Sequence, residues 1–69
     1  MSAKIMGESI QACRKKLGMN QAELALVSGT GVRFISDLEN GKATCQLGKT
    51  LRVLESLGLE VKLKPKGEK

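Results

Sequence analysis

Arg33, Ser36, Asp37 and Asn40 fall on one side of a short stretch whose other side is Ile35 and Leu38. A helix from about Val32 to Glu39, turning about 100° per residue with Ile35 and Leu38 inward, presents those four outward and carries Val32 on its flank. This set suits recognition of base-pair edges rather than bond-making. An arginine near a helix start can place two parallel N–H groups on the acceptors of a guanine, and a valine can pack on a thymine methyl. Ser36 can reach a base or a phosphate. Asp37 has two readings. It accepts from a cytosine amino group, or it pairs with Arg33 one turn back, a solvated pair worth roughly a few tenths of a kcal/mol.

The chain offers little to catalysis. It has no histidine, no nucleophile set beside a base and, at 69 residues, too small a core to shape a pocket, so no enzymatic activity is expected. Cys13 and Cys45 are far apart, and without histidine no metal site or other cofactor is expected. Cys13 lies on an apolar stripe and reads as a small core residue. Cys45 has no basic cluster beside it to form a thiolate. Both fit reduced thiols in a cytoplasmic protein. The longest apolar run, Leu24 to Val27, is too short for a membrane span or a signal core. Twelve Lys and Arg against 7 Asp and Glu favour an anionic partner. The single aromatic, Phe34, argues against stacking on single strands, whereas duplex DNA read by a helix needs no aromatics.

Positioning this face requires further helices. Met6, Ile10, Cys13 and Leu17 form a helical stripe closed by Gly18, with Arg14, Lys15 and Lys16 beside it. Asn20 with Glu23 makes a capping box for a second helix bearing Gln21, Leu24, Ala25 and Ser28 on one side and ended by Gly29. That helix start offers open N–H groups with Asn20 and Gln21 at its mouth, suited to phosphate. Asn40-Gly41 stops the reading helix. After the loop Lys42 to Gln46, Leu47, Leu51, Leu54 and Leu57 mark another helix, closed by Gly58. The period then changes to two. Leu59, Val61 and Leu63 alternate with charged residues as a half-buried strand over about 59–64, stopped by Pro65 and followed by a mobile tail, 65–69. The expectation is one domain over 1–69, with a helix-turn-helix at about 21–39. Such a strand finds no mate within a chain of helices, so an antiparallel pairing with its copy across a homodimer is expected.

The stretches LGMNQAELA and GTGVRFISDLENGK resemble the lambda and 434 repressor group, the Xre-type helix-turn-helix family. The likeness covers about Ile10 to Leu57. The continuation LRVLESLGLEVKLK resembles the narrower HipB-type antitoxins. The resemblance implies an all-α lambda-repressor-like fold of four to five helices, with a short C-terminal strand pairing across the dimer. It implies Gln21, Asn40 and Lys42 as phosphate contacts, beside Asn20, and Arg14 with Glu39 as a buried ion pair orienting the first and third helices. Thr44, Cys45 and Leu47 stand where the repressors carry further basic residues in the loop. Leu26 stands where the family usually has a polar residue, and reads either as contact with the N-terminal segment or dimer mate, or as a patch for a protein partner.

The implied function is a sequence-specific transcriptional repressor binding double-stranded DNA at a palindromic operator, in a bacterial or phage cytoplasm. By the same resemblance it is the antitoxin of a HipBA-like operon, repressing its own genes and neutralising a HipA-like kinase toxin. Two alternatives are a stand-alone phage-type or chromosomal repressor, and a protein-interaction adaptor that no longer binds DNA. Arg33 and Lys42 on one face argue against the adaptor.

Overall fold

The computed structural model describes residues 2–42 and 46–60. Four helices follow one another: α1 (Ala3–Lys16), α2 (Gln21–Ser28), α3 (Val32–Glu39) and α4 (Leu47–Ser56). No strand occurs among the described residues. Leu59 and Glu60 have no regular structure there, and the rest of the expected strand, including Val61 and Leu63, lies outside the described residues, as do Thr44, Cys45 and the tail.

The termini explain where the helices begin and end. Ser2 accepts from the Ile5 amide at 3.1 Å to cap α1. At α2 the capping box is complete: Asn20 Oδ1 accepts from Glu23 N at 2.7 Å, and Glu23 Oε1 accepts from Asn20 N at 2.9 Å. Each helix is followed by a glycine of positive φ, and an amide five residues on returns to the last turn. Gly29 matters most. Its φ of 68° turns the chain between α2 and α3, and Thr30 N donates to Ala25 O at 2.9 Å, so eight-residue helices are joined by a tight, satisfied corner.

Packing gathers Ile10, Leu24, Ala25, Ile35, Leu38, Val53, Leu54 and Leu57 into one core, with Met6, Cys13, Met19, Phe34 and Leu59 against it. Helices this short have little stability in isolation, so α2 and α3 persist because each buries its apolar side on the others. The α4 stripe differs from its expected phase. Thr50, Val53, Leu54 and Leu57 face inward, while Leu47 and Leu51 are 66% and 45% exposed. Leu54 and Leu57 fit a stripe through Leu47 and Leu51 or one through Thr50 and Val53, and contact with α2 goes with the side bearing Val53. Leu17, expected on the α1 stripe, is also exposed, because it sits at the helix end beyond the core.

Gly7 lies in mid-α1, buried against the end of α3. A Cβ there would overlap the Leu38 carbonyl oxygen and come within 2.7 Å of the Glu39 carbonyl oxygen. Glycine therefore sets how closely α1 approaches α3. No helix among the described residues is long and apolar enough to cross a membrane.

Candidate nucleic-acid interface

The candidate reading face is built from the inside of α3 outward. Ile35 and Leu38 are buried, which turns Arg33 and Asn40 to solvent, leaves Val32 exposed, and puts the partly buried Ser36 and Asp37 between them. Gly31 precedes α3 without a side-chain cap bond, and Val32 and Arg33 after it are exposed. Phe34 is half-buried, with the Lys49 ammonium of α4 at 5.8 Å from its ring centre. That cation–π contact, absent from the sequence reading, is worth roughly 0.5–1 kcal/mol at an exposed site.

Asp37 does not pair with Arg33. Its Oδ1 lies 3.4 Å from the Lys42 ammonium, and Lys42 N donates to the Asp37 carbonyl at 3.0 Å. The turn at Asn40-Gly41 folds Lys42 back over the last turn of α3, which the one-turn spacing of Arg33 and Asp37 did not reveal. Lys42 is thereby held beside Asn40, with 66% of its side chain exposed.

At the start of α2, Asn20 is exposed, with its Oδ1 committed to the α2 cap. Gln21, the first residue of α2, is partly buried, and its Nε2 donates to Glu39 Oε1 at 3.1 Å. Glu39 is also the partner of Arg14: Arg14 Nε meets Oε2 at 2.6 Å and Nη2 meets Oε1 at 3.0 Å, while Nη1 donates to the Met19 carbonyl at 2.8 Å. The two side chains are 8% and 2% exposed. Hydrogen bonding to Glu39 raises the Arg14 pKa above its ordinary value, burial opposes this, and the Glu39 charge adds to the rise. Among the described residues no buried side-chain nitrogen or oxygen lacks a partner, and no group of acidic residues and cysteines could hold a metal ion. The candidate phosphate contacts therefore gather at the C-terminal end of α3: Gln21 at the start of α2 bonds Glu39, Asn40 follows that residue, and Lys42 folds back onto Asp37.

The helix-turn-helix family model matches residues 10–61, most of the chain. The chain belongs to the Xre-type helix-turn-helix family. A curated relative, the uncharacterized HTH-type transcriptional regulator y4mF of Sinorhizobium fredii, is 45% identical over 64 residues, spanning 93% of this chain and 84% of the relative. Among solved structures, a chain of the HipA-HipB-O2-O3 complex superposes with a TM-score of 0.83 at 27% identity, covering 96% of this chain and 93% of that one. A structure described as MDT Protein superposes with a TM-score of 0.82 at 27% identity over the same shares. As a member of this helix-turn-helix family the chain is a DNA-binding transcription regulator with a HipB-like fold.

Proposed function

We propose that the chain is a sequence-specific repressor that binds a palindromic operator as a homodimer. The exposed face of α3 carries the reading, with Arg33 on a guanine edge, Val32 on a thymine methyl, and Ser36 and Asp37 on neighbouring groups. Asn20, Gln21, Asn40 and Lys42 hold the phosphates that fix its register. The observation that carries this reading is the outward set on α3, with Gln21 at the start of α2 bonded to its last residue and Lys42 folded onto its last turn.

The homodimer is assembled by the segment bearing Leu59, Val61 and Leu63, pairing antiparallel with its copy. Its role is that of an antitoxin in a HipBA-like operon, repressing its own promoter and neutralising a HipA-like kinase. Likeness to a chain from a HipA-HipB complex supports this assignment. A stand-alone repressor is the second reading, favoured by the relative whose name carries only transcriptional regulation.

Footprinting on the chain's own promoter tests the first step. Protection of two half-sites about one helical turn apart is expected, and binding without sequence preference would refute it. Co-purification with the product of a neighbouring kinase-like gene separates the antitoxin from the stand-alone repressor.

A further inference from the structure

The carboxylate of Glu39 serves more than the ion pair. Arg14 already occupies both of its oxygens, yet Oε1 takes a third donor, Gln21 Nε2 at 3.1 Å. Joining α1 to α3 does not require that bond. It reaches instead to the first residue of α2, at the mouth where a phosphate is to be held.

The chemistry of the two partners fixes the amide. A carboxylate only accepts, so Gln21 must turn its NH2 side, not its carbonyl oxygen, toward Glu39. A phosphate oxygen also only accepts. An unrestrained glutamine amide would rotate freely and present its carbonyl oxygen to the phosphate in part of its orientations. With one N–H of Nε2 bound to Glu39, the second N–H remains to bridge outward. The Arg14 bond to the Met19 carbonyl steadies the turn entering α2, so the same pair also places the backbone that carries Gln21.

We infer that Glu39, held by Arg14, is a positioning residue that locks the Gln21 amide with an N–H directed at a backbone phosphate of duplex DNA. This rests on the reading of Gln21 as a phosphate contact. In this arrangement the pair prepays ordering that a mobile side chain would otherwise lose on binding.

A double-mutant cycle in the full-length chain tests the inference. One arm is Gln21→Ala. The other replaces both charges by apolar residues of similar length, Arg14→Met with Glu39→Met, which leaves net charge unchanged and leaves no buried charge unpaired. Thermal melts establish that each variant is folded at the titration temperature. On a random-sequence duplex, Gln21→Ala in the native background is expected to weaken binding about tenfold. In the paired-methionine background its penalty should fall to about threefold, because the amide is no longer held.

An undiminished penalty in that background would overturn the role of Glu39 while leaving the phosphate contact standing. A Gln21→Ala chain that binds as tightly as the native one would overturn the phosphate contact, and the positioning role with it. A measurement on the native protein without DNA needs no variant: the side-chain amide protons of Gln21 should exchange with water more slowly than those of a free glutamine amide. Equal exchange would mean that the bond to Glu39 does not hold in solution, and the inference would fall.

Discussion

In the proposed reading, Arg33 and Lys42 act on DNA through different physics. There Arg33 is proposed to carry geometric information, two donors on one guanine edge. Arg33→Ala is expected to weaken operator binding by about 1–3 kcal/mol and relax preference at one base pair per half-site. Lys42 is proposed to contribute charge. Lys42→Ala should weaken binding to all sequences alike and lower the salt slope by about one per site. Titrations of operator and random duplex over a range of salt distinguish the two. In the same proposed reading, Asp37 is the residue whose charge opposes DNA. It places a carboxylate beside the reading face and engages Lys42 at 3.4 Å. Being exposed, that pair adds little to stability. Asp37→Asn should therefore leave the melting temperature nearly unchanged while raising affinity for random duplex several-fold, on the order of 1 kcal/mol, with a steeper salt dependence. Unaltered non-specific binding would show that Asp37 lies away from the phosphates.

At the scale of elements, two devices join α1 to α3, and both act on the angle at which α3 is presented. The first is the buried pair of Arg14 and Glu39. Arg14→Ala strands a carboxylate that is 2% exposed, and a loss of about 3–5 kcal/mol is expected. That is a large share of the stability of so small a domain, and calorimetry on the variant should show a much lowered or absent transition. A shift no larger than that of Lys15→Ala would mean the pair is not buried in solution. The second device is Gly7. Alanine is the better helix former by about 1 kcal/mol. Yet Gly7→Ala should destabilise by about 1–3 kcal/mol, because its Cβ would press on backbone carbonyls of Leu38 and Glu39 that cannot swing aside. Chemical denaturation gives the sign, and a stabilised variant would show that α1 can retreat without cost.

At the scale of the whole molecule, a small core is accompanied by exposed apolar residues. Leu26 is 82% exposed on α2, and Leu47 and Leu51 stand out of α4. Leu26 is thus not covered by the N-terminal helix. If the segment beyond Leu59 pairs with its copy, Val61→Pro removes a ladder N–H and should weaken the dimer. Sedimentation should then show the intact chain as a dimer and Val61→Pro shifted toward monomer, with a parallel loss of operator binding. A native chain that sediments as a monomer while binding a palindrome tightly would exclude the strand-paired dimer.

Local signals in the chain determine much of this protein. Gly18, Gly29, Gly41 and Gly58 each follow a helix, Asn20 and Glu23 start α2, and the inward spacing of Ile35 and Leu38 sets which side of α3 faces out. These are legible because caps, turns and helical period depend on residues within a turn or two of one another. The family likeness pointed to Arg14 and Glu39, 25 positions apart, but not to the third donor on that carboxylate. The phase of α4, the close approach at Gly7, and the choice of Lys42 over Arg33 as partner of Asp37 were decided only in the tertiary structure. Gly7 left one trace in the sequence, a glycine inside a helical pattern, which marks a close approach without saying to what. The others left none. Leu54 and Leu57 belong equally to a stripe through Leu47 and Leu51 and to one through Thr50 and Val53, and two cations lie within reach of one carboxylate by spacing; only contact between α2 and α4, and the fold of the chain at Gly41, chooses between them.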